Sequence, residues 1–183
     1  TSQATPHVTG VAALLMQKYN STYGYIPNPS LVKAILMTSV NTTGMQREGH
    51  VQRNNVYGAG RIDAYEAIRI MNFTRNSTIS QNEMKVYYVN VTNSSAKITL
   101  YWPENSTVSN NLNLIVGNST FNFTNPTDSR DNVEQVFIYN NTNGTWKVYV
   151  NGTIITGSQI FYLAVDREFI DFITIESPLN QTY

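Results

Sequence analysis

The sequence predicts two architectures in series: α-helices over residues 1–78, then an all-β sandwich, expected to be a jelly roll, over residues 79–183. Three observations carry this. Apolar residues recur at helical spacing in three blocks before Asn72. No strand pattern lies among those blocks. After Thr78 the period falls to two, in short runs parted by turn signals such as Asn143-Gly144 and Asn151-Gly152.

The first helix is expected from about Ser2 to Tyr19. Ala4, Val8, Val11 and Leu15 share a face, and Ala12, Ala13, Leu14 and Met16 fill most of the remaining circumference. A helix apolar nearly all round belongs inside a sizeable domain. Thr1 or Ser2 can cap its first turn, and Pro6 is tolerable only near the start. Asn20 to Pro29 reads as a loop. Ser30 then caps a helix of about Leu31 to Val40, with Leu31, Ala34, Ile35 and Thr38 inward and Lys33 outside. Thr42 to Asn55 reads as an exposed connection. Gly58 and Gly60 permit close backbone approach or left-handed conformations. Asp63 caps a third helix, about Ala64 to Met71, with Ile62, Tyr65, Ile68 and Met71 inward. Three such helices cannot enclose one another in so few residues. Residues 1 to about 74 are therefore expected to leave a large apolar area exposed.

The expected strands are Met84–Val91, Lys97–Trp102, Leu112–Val116, Ser119–Phe123, Val133–Tyr139, Thr145–Val150, Gln159–Val165 and Phe169–Ile175. Trp146, Val148 and Val150 should face one way, Lys147 and Tyr149 the other. The tail from Arg167 to Tyr183 is an extra strand or a linker.

Composition narrows the function. Lys+Arg and Asp+Glu balance at 12 each, which gives no electrostatic case for nucleic acid or an anionic membrane as partner. Charged residues are only 13%, so the surface keeps its character when carboxylates protonate, which suits an acidic habitat. There is no cysteine, hence no disulfide or thiolate site in this stretch. No apolar run approaches the ~20 residues of a membrane span. Thirteen asparagines head N-x-S/T: Asn20, Asn41, Asn72, Asn76, Asn90, Asn93, Asn105, Asn118, Asn122, Asn140, Asn143, Asn151 and Asn180. They read as glycosylation acceptors, although a chain this rich in Asn, Ser and Thr also makes such patterns by composition.

The chemistry concentrates at the first residues. A serine at a helix N-terminus sits among unpaired backbone N–H groups, at the positive end of the dipole, where a developing oxyanion is favoured. A lone Ser2 would be read as a plain cap. It does not stand alone: Thr1-Ser2-Gln3-Ala4-Thr5-Pro6-His7-Val8-Thr9-Gly10-Val11-Ala12-Ala13-Leu14 resembles the nucleophile motif of subtilisin-like serine proteases, the subtilases. Only the glycine that usually precedes the Thr is absent. Asn28-Pro29-Ser30-Leu31-Val32-Lys33-Ala34-Ile35-Leu36-Met37-Thr38-Ser39 is similar to the next helix of that family. Tyr57-Gly58-Ala59-Gly60-Arg61-Ile62-Asp63-Ala64-Tyr65-Glu66-Ala67 is similar to the run that closes its catalytic domain.

The resemblance implies an α/β domain whose parallel sheet lies outside this stretch, with Ser2 as nucleophile. Subtilases order their triad Asp, His, Ser, so the Asp, the His and the oxyanion-hole Asn are expected upstream of Thr1. The stretch by itself is then inactive, and its partners are peptide substrates and the remainder of the catalytic domain. His7 matches a structural histidine of the motif. His50 stands in a polar loop and reads as solvated. In the second half, Leu112–Val116, Asp131–Ile138, Gly144–Val150 and Gln159–Val165 together resemble the β-barrel domain that follows the catalytic domain in some bacterial and archaeal subtilases, and the P domain of proprotein convertases.

Asp128, Asp131, Asn132 and Glu134 cluster beside a turn. Oxygen ligands so placed could hold calcium, but the spacing is not that of an EF-hand loop, and a capped turn explains them more simply. No Cys/His cluster suggests zinc, and no cofactor is required by the chemistry. The reading is a secreted or cell-surface serine endopeptidase with a stabilising β-sandwich. Its rival is a non-catalytic surface binder in which the sandwich engages a protein or glycan.

Overall fold

A computed structural model describes residues 2–45, 57–93, 95–104, 110–120, 122–124, 131–139 and 143–171. Three helices come first: α1 (Ala4–Tyr23), α2 (Pro29–Thr38) and α3 (Ala64–Ile70). Eight strands follow: β1 (Thr74–Ser80), β2 (Met84–Val91), β3 (Ala96–Tyr101), β4 (Asn111–Gly117), β5 (Asn122–Thr124), β6 (Val133–Ile138), β7 (Gly144–Ile154) and β8 (Ser158–Val165).

The strands form two four-stranded antiparallel sheets, ordered β1-β8-β3-β6 and β2-β7-β4-β5. Successive strands alternate between the sheets except at β4 and β5, which are neighbours in one sheet, and this gives the eight-stranded jelly roll that the alternating pattern predicted. The period of two fixes which side chains enter. Trp146, Val148 and Val150 of β7 are fully buried between the sheets, opposite Leu100, Ile98, Leu163 and Val165. Lys147 points out. Each such aliphatic side chain stabilises the fold by about 1.5–3 kcal/mol on burial. Glu134 enters this core too, where Leu114 N–H of the facing sheet donates to its carboxylate.

One strand was not anticipated. β1 runs across the expected boundary at 78/79 and pairs with β8 along its whole length. Its sequence, Thr-Arg-Asn-Ser-Thr-Ile-Ser, has a single buried residue, Ile79, because it is a sheet edge. The chain then turns a corner into β2 of the other sheet. There Gly152 is required: a Cβ would lie 2.5 Å from the Ser80 carbonyl oxygen. Of the expected strand Phe169–Ile175, the described part is a bridge from Phe169 to Val89 on the outer edge of β2, with Asn90 N–H donating to Glu168 O and Ile170 N–H to Tyr88 O. Residues 172–175 lie outside the described residues.

The helices lie on the other face of the β1-β8-β3-β6 sheet. Leu15 and Tyr19 of α1, Leu31, Ala34 and Ile35 of α2, and Ala67 and Ile70 of α3 form a second core with Tyr162 and Ala164 of β8. The expected inward stripe of α2 is buried as read, Thr38 included. Thr38 Oγ1 donates within the helix to Ala34 O and, at 3.4 Å, to Ala164 O; Gln135 Nε2 reaches Met37 O, and Lys97 Nζ donates to Val40 O. These bonds tie the helical segment to the sandwich.

Several helix details differ from the sequence reading. The N-cap of α1 is Gln3, in a helical conformation and without a side-chain bond, so neither Thr1 nor Ser2 is the cap. The helix runs on to Tyr23 through the expected loop. Ser21 and Thr22 hydroxyls bond back to Lys18 O, and Gly24 in the left-handed conformation closes the end. Asn28, not Ser30, caps α2: its Oδ1 accepts from Ser30 N–H, with Pro29 at the first helical position. Asp63 caps α3 as expected, accepting from Glu66 N–H. Tyr65 is 75% exposed and Met71 is buried, because the inward face is set by Ala67 and Ile70. Thr42, placed in an exposed connection, is buried. Asn41 pairs with Arg61, and Gly60 lies against Val40, where a Cβ would meet the Val40 side chain at 3.0 Å.

Candidate active site at the start of the first helix

Ser2 is solvent-exposed and sits two residues before α1. No side chain caps this end, and no acidic residue lies in the first turn. Nothing acidic in the first turn offsets the positive end of the helix dipole. An anion forming beside Ser2 would sit at the positive end of this dipole. Pro6, lacking an N–H, removes none that the helix needs so close to its start.

His7 is turned along its own helix. Its Nδ1 lies 2.6 Å from Gln3 O, an acceptor, which makes that nitrogen the protonated one. Thr9 Oγ1 bonds similarly to Thr5 O. His50 and Asp128 lie outside the described residues. Asp131 and Asn132 are half-buried; the Asn132 carbonyl accepts from Trp102 N–H, and Glu134 is engaged between the sheets. Among the described residues no three His, Cys, Asp or Glu side chains converge as a metal group would require.

Beyond Ser2, α1 carries an open apolar groove, lined by Pro6, Gly10, Val11, Ala13 and Leu14 with His7 and Gln17 at its rim. Leu14 is 52% exposed and Val8 43%. The expectation of an unfinished apolar surface on the helical segment is met, and it is met on this helix. Gly10 sharpens the point. It lies mid-helix, where Gly costs about 1 kcal/mol against Ala, yet a Cβ there would touch nothing within 4 Å.

A second concavity, of about 460 Å³, lies where α3 meets the sandwich, and sequence reasoning did not anticipate it. Arg69 forms a two-pronged pair with Glu66 and donates to Asp166 O. The Asp166 carboxylate accepts from Lys97 N–H and pairs with Arg167 at 3.3 Å. Burial pushes the Asp166 carboxyl above the usual carboxylate range, against the opposing pull of Arg167, the Lys97 amide and the more distant charges. Lys97 Nζ donates to Val40 O, and no residue of α1 lines this concavity. At the far end of α1, Tyr19, Tyr23 and Tyr25 pack ring on ring, and Tyr19 shares a hydroxyl–hydroxyl bond with Tyr25.

Comparison with known proteins separates the two halves. Residues 1–60 match the subtilase family, and a β domain follows them. The chain is similar in structure to the pre-peptidase C-terminal domain of a collagenase from Bacillus anthracis, at 16% identity over 50% of this chain and 86% of that one, with a TM-score of 0.39. It is also similar to a mitogen from Yersinia pseudotuberculosis, at 13% identity over 56% and 89%, TM-score 0.39. A third similarity is to PliG of Aeromonas hydrophila, a periplasmic inhibitor of g-type lysozyme, at 12% identity over 52% and 84%, TM-score 0.34. No described helix is long and apolar enough to cross a membrane.

Proposed function

We propose that this chain is the nucleophile-bearing part of an exported subtilisin-like serine endopeptidase, with Ser2 as the nucleophile and the jelly roll as a brace. The observation that carries the proposal is the position of Ser2: exposed, at the uncapped start of the helix that heads the subtilase match. In the reaction Ser2 Oγ attacks the peptide carbonyl. A histidine from a preceding segment takes its proton and later returns it to the leaving amine, and an aspartate orients that histidine. The Ser2 N–H and an upstream asparagine hold the oxyanion. The chemistry needs no cofactor.

The apolar groove on α1 supports the same reading, because it is the surface that the rest of a catalytic domain would cover. The bonds from Thr38, Gln135 and Lys97 across the helix–sheet seam support bracing by the sandwich. The test is Ser2→Ala in the full-length protein. Peptide hydrolysis should fall by a factor on the order of 10^6, with the fold retained. A fluorophosphonate should label Ser2 in the full-length protein and leave residues 1–183 alone unlabelled. Undiminished hydrolysis by the alanine variant would remove Ser2 from the mechanism, and no hydrolysis by the unaltered full-length protein would leave the surface-binder reading.

A further inference from the structure

The 13 N-x-S/T patterns are too many, and too well placed, to be a by-product of composition. Ser and Thr make up 35 of the 183 residues, so random placement would put one of them two positions after about four of the 23 asparagines. The observed number is 13.

Placement separates the patterns further. Ten of these asparagines are among the described residues, and none is buried; seven are exposed and Asn41, Asn118 and Asn151 are half-buried. The buried asparagines, Asn110 and Asn111, head no such pattern. Asn110 is spent internally: its Nδ2 donates to Gln159 Oε1 and its Oδ1 accepts from Thr156 N–H.

The patterns also divide between the halves. Residues 1–60, the subtilase segment, hold two of them, Asn20 and Asn41; Asn28 is excluded by Pro29. The other 11 follow. Strands β3, β6 and β8, which lie under or beside the helices, hold none. The opposite sheet holds three on its outer face. Strand register puts Asn90 across from Thr145, Asn151 between Met84 and Asn113, and Asn122 across from Gly117, all on the side away from the core.

We infer that the jelly roll is N-glycosylated, and that the outer face of the β2-β7-β4-β5 sheet, around Asn90, Asn122 and Asn151, is a sugar-covered surface. The side-chain amide nitrogen forms a bond to the anomeric carbon of a polyprenyl-phosphate-linked or polyprenyl-pyrophosphate-linked oligosaccharide. The anomeric C–O bond to phosphate breaks, the lipid (pyro)phosphate leaves with the electron pair, and the amide gives up one proton. The groove on α1 holds no such pattern, which leaves that surface for protein to cover. Sugar on this face also solubilises a surface with few charges, and its bulk blocks lateral association there.

The inference rests on the reading of the chain as exported. Both are tested on the full-length protein from its natural source, fractionated into cytosol, surface and medium, with glycopeptides analysed by mass spectrometry. The expected result is hexose-bearing peptides at Asn76, Asn90, Asn122 or Asn151, and unmodified peptides over Asn110 and Asn111. Replacing Asn90 by Gln should remove one glycan mass from the intact protein. Protein in the surface or medium fraction with bare asparagines throughout 61–183, or with sugar confined to Asn20 and Asn41, would overturn this inference and leave export standing. Protein confined to the cytosol would overturn export, and bare asparagines there would overturn both.

Discussion

The core between the two sheets and the core between the helices and the first sheet are made of similar side chains, yet they close differently. The first is sealed: Trp102, Trp146, Leu112, Leu114 and Phe161 are wholly removed from water. Each strand supplies both a partner for its neighbour's backbone and alternate side chains for the interior. The second is sealed on one side only. α2 has the sheet beneath it, whereas α1 presents Val8 and Leu14 to solvent and carries an open groove beside Leu14. The difference shows what periodicity does and does not specify. A two-residue period commits one face to burial and leaves the other free. A helix apolar nearly all round demands neighbours on every side, and this stretch supplies them on one.

The largest effect should come from the sealed core. Trp146→Ala removes a fully buried indole near the start of β7, flanked by Val89 of β2 in register. It should cost about 3–5 kcal/mol, read from the urea midpoint. If the sandwich is the folding unit, helices and sheets should melt together in this variant. Loss of helix signal with the sheets intact would contradict that.

Ile35→Ala tests the half-open core. Ile35 is fully buried in α2 against β8. The cost should again be about 2–5 kcal/mol, but confined. Hydrogen exchange should lose protection in α1, α2 and α3 while β3, β7 and β8 keep theirs. Uniform loss of protection would show that the two cores are one cooperative unit.

The seam between the cores has its own signature. Asp166, buried beside Lys97, Arg69 and Arg167, has a raised pKa in the folded chain. The folded state therefore binds its proton more tightly than the unfolded one. This contribution is fully present below the ordinary carboxylate pKa, and it is lost as pH rises from there through the raised folded value. Stability of the native chain relative to Asp166→Asn should increase on acidification across that window. Denaturant titrations of both proteins at neutral and acidic pH measure it, and a constant difference would remove Asp166 as the source.

Much of this was legible in the sequence, and the gaps have physical causes. β2 was read to the residue because it is rich in Val and Tyr, with Tyr87, Val89 and Val91 on the core face, and its ends carry turn residues. β1 was missed because an edge strand needs to bury only Ile79, and a pattern with one buried residue has no period. α1 was cut short at Asn20 because composition was weighed over the Gly24 cap. The site was legible only in part. Ser2 and its helix end follow from a motif, but the cluster of Arg69, Glu66, Lys97 and Asp166 joins residues up to 100 positions apart, from α3, β3 and the residue after β8. No local pattern announces such a junction.

The smallest effect is the one that most sharply separates this stretch from the protein it serves. Gly10 lies in the middle of α1 with empty space around its missing Cβ. Among the described residues nothing explains a residue that weakens the helix. Gly10→Ala should therefore stabilise this chain alone, by up to about 0.8–1 kcal/mol, seen as higher helicity and stronger exchange protection in α1. If the groove beside it receives the rest of a catalytic domain, the same methyl should clash there. The full-length variant should then show a lower melting temperature or reduced peptidase activity. A gain in both settings would mean that no backbone approaches Gly10, and the groove would need another occupant. Opposite signs in the two settings would locate the missing contact at a single position on the helix that carries Ser2.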